Sequence, residues 1–405
     1  MQRERLWTKN FILLCIMNFF LACSFFFYMP TLPLFVVEEL GGMEDQVGLI
    51  AGIFTVSSLL IRPWSGLLVD QLGRRRILII SLILYIVVLS GYLIAYAFWI
   101  LWMVRLLHGG TFGLTTTTVS TIAADEVPES RRGEGLGYFG TIMTLAMTIG
   151  PAIGLMIVNN WSFQVMFSVA VLIFLVSLVL SRWIKFEEEP VRRPIDLRIS
   201  VRDWKALYEP RVFPIAVAMI SLAFVFGGIM SFIPLYAAEI GEEHLGGMYF
   251  TIYALALVLS RPISGRLYDR MGPDVVIYPG MLLYLIGTIL LGLAQGAFLL
   301  LVAAFIIGLG YGGIQPSLQA RSIDLVEPNR RGAATATFFS GIDLGIGLGA
   351  IVLGYVVKYL GYQNMFLLSG FFVVLSAWLY YRSRVKESAA PNGVEPKRHV
   401  HDSSV

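Results

Sequence analysis

The segment from Arg62 to Gly73, reading RPWSGLLVDQLG, returns 199 residues later as RPISGRLYDRMG, from Arg261 to Gly272. The same register carries Asp125 onto Asp324, Arg131-Arg132-Gly133 onto Arg330-Arg331-Gly332, Gln164 onto Gln363 and Met166-Phe167 onto Met365-Phe366. Repeats of about 20–50 residues build solenoids, whereas a displacement of about half of a 405-residue chain builds two large copies of one unit. The material of those copies follows from the solvent they need. Hydrophobic residues make up 57% of the chain and charged residues 14%, against about 45–50% and about 25% in soluble domains. Most of the surface must therefore face lipid.

Apolar stretches long enough to cross about 30 Å of hydrocarbon as helices can be placed twelve times. They fall at 11–36, 46–67, 77–95, 98–121, 134–158, 163–184, 212–237, 245–265, 275–294, 297–320, 333–357 and 363–381. The long polar break divides six from six, giving an N-terminal bundle at 1–184, a central loop at 185–211, a C-terminal bundle at 212–382 and a polar, disordered tail at 383–405. An even number of spans per copy makes the copies parallel repeats about an axis along the membrane normal, an arrangement found in transporters. With the N-terminus cytoplasmic, 26 of 30 Lys and Arg fall on the cytoplasmic side, as the positive-inside rule requires, and both termini share that side. The outer loops carry Glu38, Glu39, Glu44 and Asp45 in one half and Glu239, Glu242 and Glu243 in the other.

Other classes fit poorly. A net charge of +3 dispersed along the chain does not imply nucleic acid. Cys15 and Cys23 share one apolar stretch, leaving no disulfide framework and no metal site. The basic N-terminus precedes an apolar run too long for a signal peptide and without a cleavage site, so it reads as a retained span, and a bacterial cytoplasmic membrane is the default location. Two GxGxxG strings, at Gly135-Gly137-Gly140 and Gly308-Gly310-Gly313, lie inside apolar helices rather than at strand-to-helix turns, and no GxxxxGK[ST] loop exists, so neither a nucleotide nor any other cofactor is expected. Gly341, Gly345 and Gly349 read as helix-packing positions. The basic central loop suits a solvated linker or, less well, a headgroup contact, while His399 and His401 lie in the tail. An intramembrane enzyme would need paired catalytic groups, and HExxH and GxSxG are absent; a receptor would have no use for a buried acid in a late span.

The loop Gly66-Leu-Leu-Val-Asp70-Gln-Leu-Gly73-Arg74-Arg75-Arg76 closely resembles the signature between spans two and three of the major facilitator superfamily. Arg105-Leu-Leu-His108-Gly109 resembles that superfamily's span-four motif. The run from Gly140 to Gly150-Pro151-Ala-Ile-Gly154 resembles the span-five motif of its drug:H+ antiporters, as does Pro30-Thr31-Leu32-Pro33 in span one. The resemblance implies an all-α membrane protein with twelve transmembrane helices in two pseudo-symmetric six-helix bundles, working by alternating access. It also implies a gate at the cytoplasmic ends, built from Arg62, Gly66, Asp70, Gly73, Arg74 and Asp125, with Arg261, Gly265 and Asp269 in the second copy. Gly66 would allow close packing, Asp70 would face a helix N-terminus, and Arg74 would reach Asp125. Pro273 stands where the first copy has Arg74, which predicts a weaker second latch.

The repeat is also an internal control, because buried ionisable residues present in one copy alone need a separate reason. Arg105 aligns with Ala304, His108 with Ile307 and Asp343 with Thr144. Charged groups deep in a membrane usually mark a pathway. Asp343, about ten residues or 15 Å into its span, is the expected proton carrier, with Arg105 nearby to tune it. Arg105, His108, Tyr311, Gln315 and Asp343 are the expected substrate-binding set, with Gln319 continuing the span-ten face; packing or helix-to-helix hydrogen bonding is the competing reading of His108 and the span-ten residues. The aromatic run Phe25-Phe26-Phe27-Tyr28 is expected to face lipid for the most part.

The expected function is multidrug-type export of a small amphipathic molecule by proton antiport. A dedicated exporter of an endogenous zwitterionic or anionic metabolite, such as an opine-like metallophore, or a sugar transporter, is the alternative. The family's frequent acid inside span one is missing, which leaves a preference for cationic drugs open.

Overall fold

The computed structural model describes residues 4–41, 44–186, 207–242 and 245–389. The N-terminal bundle comprises α1 (Lys9–Glu38), α2 (Glu44–Leu72), α3 (Arg74–Gly91), α4 (Phe98–Glu126), α5 (Arg132–Asn160) and α6 (Phe163–Ser181). The C-terminal bundle begins with α7 (Phe213–Glu239), α8 (Leu245–Met271), α9 (Asp274–Gly292) and α10 (Ala297–Asp324). It closes with the helical run Arg331–Ala389, which Gly361 breaks at φ 77°. We number its two parts α11 (331–360) and α12 (362–389).

Helix ends follow local chemistry. Thr8 starts α1 by accepting a hydrogen bond from Phe11 N at 3.1 Å, and Ser162 starts α6 by accepting from Val165 N at 3.2 Å. Gly73 and Gly272 turn the chain into α3 and α9 at φ 91° and 89°, a left-handed backbone open to glycine and strained for other residues. Because both copies need that turn, both keep the glycine.

Among the described residues, ten helical segments are long and apolar enough to cross a membrane, and the last of them contains both α11 and α12. The remaining helix, α4, has spanning length but carries Arg105, His108 and a run of threonines; its hydroxyls at Thr115, Thr116, Thr118 and Thr121 donate back to the carbonyl four residues earlier. This self-satisfaction lets so polar a helix stand in an apolar bundle. Each bundle has its own buried core, one around Phe11, Tyr28, Tyr85 and Phe167, the other around Met219, Tyr236, Tyr284 and Phe366. Large side chains such as Leu60, Val87, Leu172, Ile263 and Phe371 are exposed on the outside, where only lipid would stabilise them.

Some boundaries differ from expectation. The tail boundary at 382 falls inside α12, which continues to Ala389, while 390–405, with His399 and His401, lies outside the described residues. Most of the central loop, 187–206, lies outside them too. The aromatic run on α1 does not face lipid: Phe26, Phe27 and Tyr28 are buried, and Phe25 packs against Phe54 and Phe112. Span one crosses the inside of its bundle, so its aromatic bulk serves the core.

Candidate functional site

The bundles meet along α2 against α11 and α5 against α8. Glycine sets how closely. A Cβ on Gly66 would lie 2.5 Å from the Gly332 carbonyl oxygen, and one on Gly332 would lie 2.5 Å from that of Gly66. The other seam repeats this, with Gly265 against Gly133 O at 2.6 Å and Gly133 against Gly265 O at 2.8 Å. Backbones this close leave no room for a side chain.

That approach brings a carboxylate of each bundle onto a helix N-terminus of the other. Asp70 accepts from Gly332 N and Ala333 N, both at 2.9 Å, at the start of α11. Asp269 accepts from Gly133 N at 2.7 Å and Glu134 N at 2.9 Å, at the start of α5. The unpaired amides and positive end of a helix favour an anion there. Flanking ion pairs follow the same symmetry: Arg331 Nη1 lies 2.8 Å from Asp125 Oδ1, and Arg132 pairs with Asp324. Arg74 Nε reaches Asp125 at 3.0 Å, its Nη2 donates to the Pro328 carbonyl at 2.7 Å, and its guanidinium lies 3.4 Å from Asp70. The second copy has Pro273 at that position, and the extra contacts differ in kind: Tyr268 donates to Asp324 at 2.6 Å, and Arg266 bridges to Glu134 at 3.2 Å.

Eight residues above Asp70 on α2, about 12 Å along the helix, Arg62 holds Asp343 on α11. Its Nε lies 2.6 Å from Oδ2 and its Nη2 3.2 Å from Oδ1. Ser58 donates to the same carboxylate at 3.2 Å, Thr116 accepts from Arg62 Nη1 at 3.2 Å, and the guanidinium lies over the Phe339 ring at 4.9 Å. Arg62 is 3% exposed and the Asp343 side chain 16%. Of the pair, the acid is the partner that solvent can reach.

This arrangement corrects the expected pairing of Asp343 with Arg105. Arg105 is buried inside the N-terminal bundle, its guanidinium 4.3 Å from the Phe54 ring centroid. His108 sits beside it, with Tyr85 Oη 2.8 Å from Nε2 and Tyr92 Oη 2.8 Å from Nδ1. The two residues do share a helix face, turned toward α1, α2 and α3; Thr116, which meets Arg62, lies at nearly the same azimuth but eleven residues, about 16 Å, further along α4. Depth separates them: Arg105 lies seven residues from the start of α4 and Asp343 twelve from the start of α11, and these helices enter from opposite faces, as the Arg331–Asp125 contact shows. The structure therefore does not bring Arg105 or His108 together with Asp343.

The span-ten residues divide. Gln315 accepts from Arg261 Nη2 at 3.1 Å, whereas the Tyr311 ring stacks on Phe226 at 5.0 Å and Gln319 is buried. In the span-five motif, Gly140 lies under Arg261, where a Cβ would come 3.0 Å from Nη1. Gly150 and Gly154 face α1, where added Cβ atoms would meet Phe26 Cβ at 2.7 Å and the Phe27 carbonyl oxygen at 2.9 Å, and Pro151 lies in α5 between them. Sequence reasoning did not single out Ser58, Thr116, Phe339, Arg132, Glu134, Tyr268 or Arg331 for roles. For Arg132 and Arg331 the signal was present, as the Arg-Arg-Gly repeat.

Two six-helix bundles joined by reciprocal latches and a buried ion pair define a membrane carrier of pseudo-symmetric build rather than an enzyme. The chain belongs to the Major Facilitator Superfamily, whose profile matches residues 14–249 and 240–402. It is 24% identical to the staphylopine export protein of Staphylococcus aureus, over 84% of this chain and 87% of that protein. It is also 24% identical to the multidrug resistance protein MdtG of Klebsiella pneumoniae, over 97% of each. In fold it resembles the human organic anion transporter MFSD10, with a TM-score of 0.81 at 17% identity, covering 92% of this chain and 98% of that one.

Proposed function

We propose that this chain is a proton-coupled exporter of a small amphipathic molecule, with Asp343 as the proton carrier and the Arg62–Asp343 pair as the element that proton binding switches. It lies in the cell membrane with both termini cytoplasmic, so the latched face is the cytoplasmic one. The supporting observation is the pair itself, which joins the two bundles below their midpoint and can form only while the cytoplasmic ends are together.

The coupling follows from charge. Ionised Asp343 holds Arg62 and keeps the cytoplasmic face closed. A proton arriving from outside neutralises the carboxylate, the pair is lost, and the bundles are free to part at that face. Inside, the proton leaves as substrate enters, and the restored charge draws α2 and α11 together again. An empty, deprotonated carrier stays closed to the cytoplasm, which suppresses leak. One proton crossing 100 mV supplies about 2.3 kcal/mol, enough for roughly fortyfold accumulation. Export is the direction that the printed names of the relatives, a multidrug resistance protein and a staphylopine export protein, favour.

The test is proton movement in proteoliposomes with a buffered interior, wild type beside Asp343→Asn, as dyes, zwitterions and organic acids are added. Substrate-dependent proton flux in wild type alone supports the reading. Substrate movement without protons in wild type rejects it.

A further inference from the structure

Arg261 is the counterpart of Arg62 at a displacement of 199 residues, yet its surroundings lack what Arg62 has. Both lie on the seam between bundles, and both touch the matching position of the next helix pair: Arg62 donates to Thr116 and Arg261 to Gln315, again 199 apart. The differences lie on the facing helix. Where α11 presents Phe339 over Arg62, α5 presents Gly140 to Arg261; at the position matching Asp343, one turn beyond Gly140, α5 carries Thr144. Arg261 is 4% exposed, and among the described residues its Nε and Nη1 have no hydrogen-bond partner. The second bundle also turns two phenylalanines of the first, Phe54 and Phe112, into Tyr253 and Tyr311, and the Tyr253 hydroxyl is buried and unpartnered as well. A buried guanidinium with two open donors is an anion receptor, because a cation in a low-dielectric seam attracts whatever negative group can reach it.

We propose that Arg261, flanked by Thr144 and Gln315, binds the carboxylate of the transported molecule, taking from substrate the partner that Arg62 takes from Asp343. The proposal rests on the exporter reading above and makes it specific: the substrate is a carboxylate-bearing amphiphile, and the two halves of the repeat divide the labour, one arginine for the coupling acid and one for the cargo. Gly140 serves by putting no ring or side chain over the guanidinium, as Phe339 does over Arg62, and Thr144 supplies a hydroxyl where a resident carboxylate would block the site. Bound substrate would join α5 to α8 as Asp343 joins α2 to α11, so cargo would favour the same closed face that the ionised acid favours.

The experiment is thermal unfolding of the purified full-length protein with naphthoate, against the neutral naphthamide of the same shape at equal ionic strength. It reads binding without proton movement. Wild type is expected to be stabilised by naphthoate and not by naphthamide. Arg261→Gln should weaken the apparent affinity about ten- to a hundredfold, the range of a charge-assisted hydrogen bond, with Arg261→Lys falling between. Thr144→Asp installs the missing carboxylate, so it should abolish the naphthoate effect while raising the midpoint of the ligand-free protein; this variant decides the matter if Arg261→Gln does not fold. Asp343→Asn should keep the naphthoate effect, which separates this site from proton coupling. The proposal is overturned if wild type responds equally to both compounds or to neither, or if the response survives Arg261→Gln or Thr144→Asp.

Discussion

Arg62 on α2 grips both carboxylate oxygens of Asp343 on α11, at 2.6 and 3.2 Å, so one side-chain pair ties the two halves of the molecule together well inside the membrane. A forked contact of this kind fixes orientation as well as distance, and Ser58 and Thr116 complete its hydrogen bonding. Its strength depends on the Asp343 charge, which is the property a coupling element needs.

Arg62→Lys should not substitute for Arg62. A lysine keeps the charge but loses the planar fork and the contact with the Phe339 ring. Removing one partner of a buried pair costs about 3–5 kcal/mol, less here because Asp343 is part-exposed. Transport into inverted vesicles is expected to fall about tenfold or more for Arg62→Lys and further for Arg62→Gln.

Asp70→Asn and Asp269→Asn should each loosen the latched seam. An asparagine retains one acceptor oxygen and turns an amide NH2 toward the paired backbone donors at Gly332 and Ala333, or at Gly133 and Glu134. Each loss is of the order of 1–3 kcal/mol, and the double variant should exceed either single one. Maleimide labelling of Ala336→Cys, a position buried against Gly66, reports it: labelling should speed up in each variant and most in the double. The native Cys15 and Cys23 are buried and give little background.

The two latches and the division into bundles were legible before any coordinates, because both are written twice. Repetition identified Asp70 with Asp269, Gly66 with Gly265 and Asp125 with Asp324, and the demand of a helix N-terminus for an anion supplied the role. The middle of the membrane was less legible. Asp343 and Arg105 stand out as charges in apolar helices, but the two are measured from opposite faces, and eleven residues of α4, about 16 Å, separate Arg105 from Thr116 at the level of the Arg62–Asp343 pair. Arg62 was visible only as part of the gate signature, although its position eight residues above Asp70 sets it level with the acid. The contrast between Arg62 and Arg261 needs both pieces: the repeat says the two should match, and the structure shows where they do not.

Gly66→Leu and Gly332→Leu should hold the seam apart, since even a Cβ at either position would lie 2.5 Å from a carbonyl oxygen. Both are expected to abolish transport while Ala336→Cys labels freely. Gly52→Ala, where a Cβ meets nothing within 4 Å, should behave as wild type.

His108→Phe should lower stability without changing proton coupling. The substitution keeps an aromatic ring among Tyr28, Tyr85, Tyr92 and Phe54 but leaves the Tyr85 and Tyr92 hydroxyls without the imidazole nitrogens. Each hydroxyl loses one hydrogen bond, worth about 0.5–1.5 kcal/mol. A lower thermal midpoint with an unchanged ratio of protons to substrate is the expected result.

The account turns on the ionised Asp343 holding the cytoplasmic face shut, and the distance across that face tests it most directly. Spin labels at Glu129→Cys and Asn329→Cys, exposed positions on opposite bundles, read the separation as pH is lowered. In wild type the distance should lengthen as Asp343 takes up a proton, and Asp343→Asn should show the longer distance at every pH. A wild-type distance that stays short at low pH, or an Asp343→Asn protein that shows the wild-type pH response, would contradict the account.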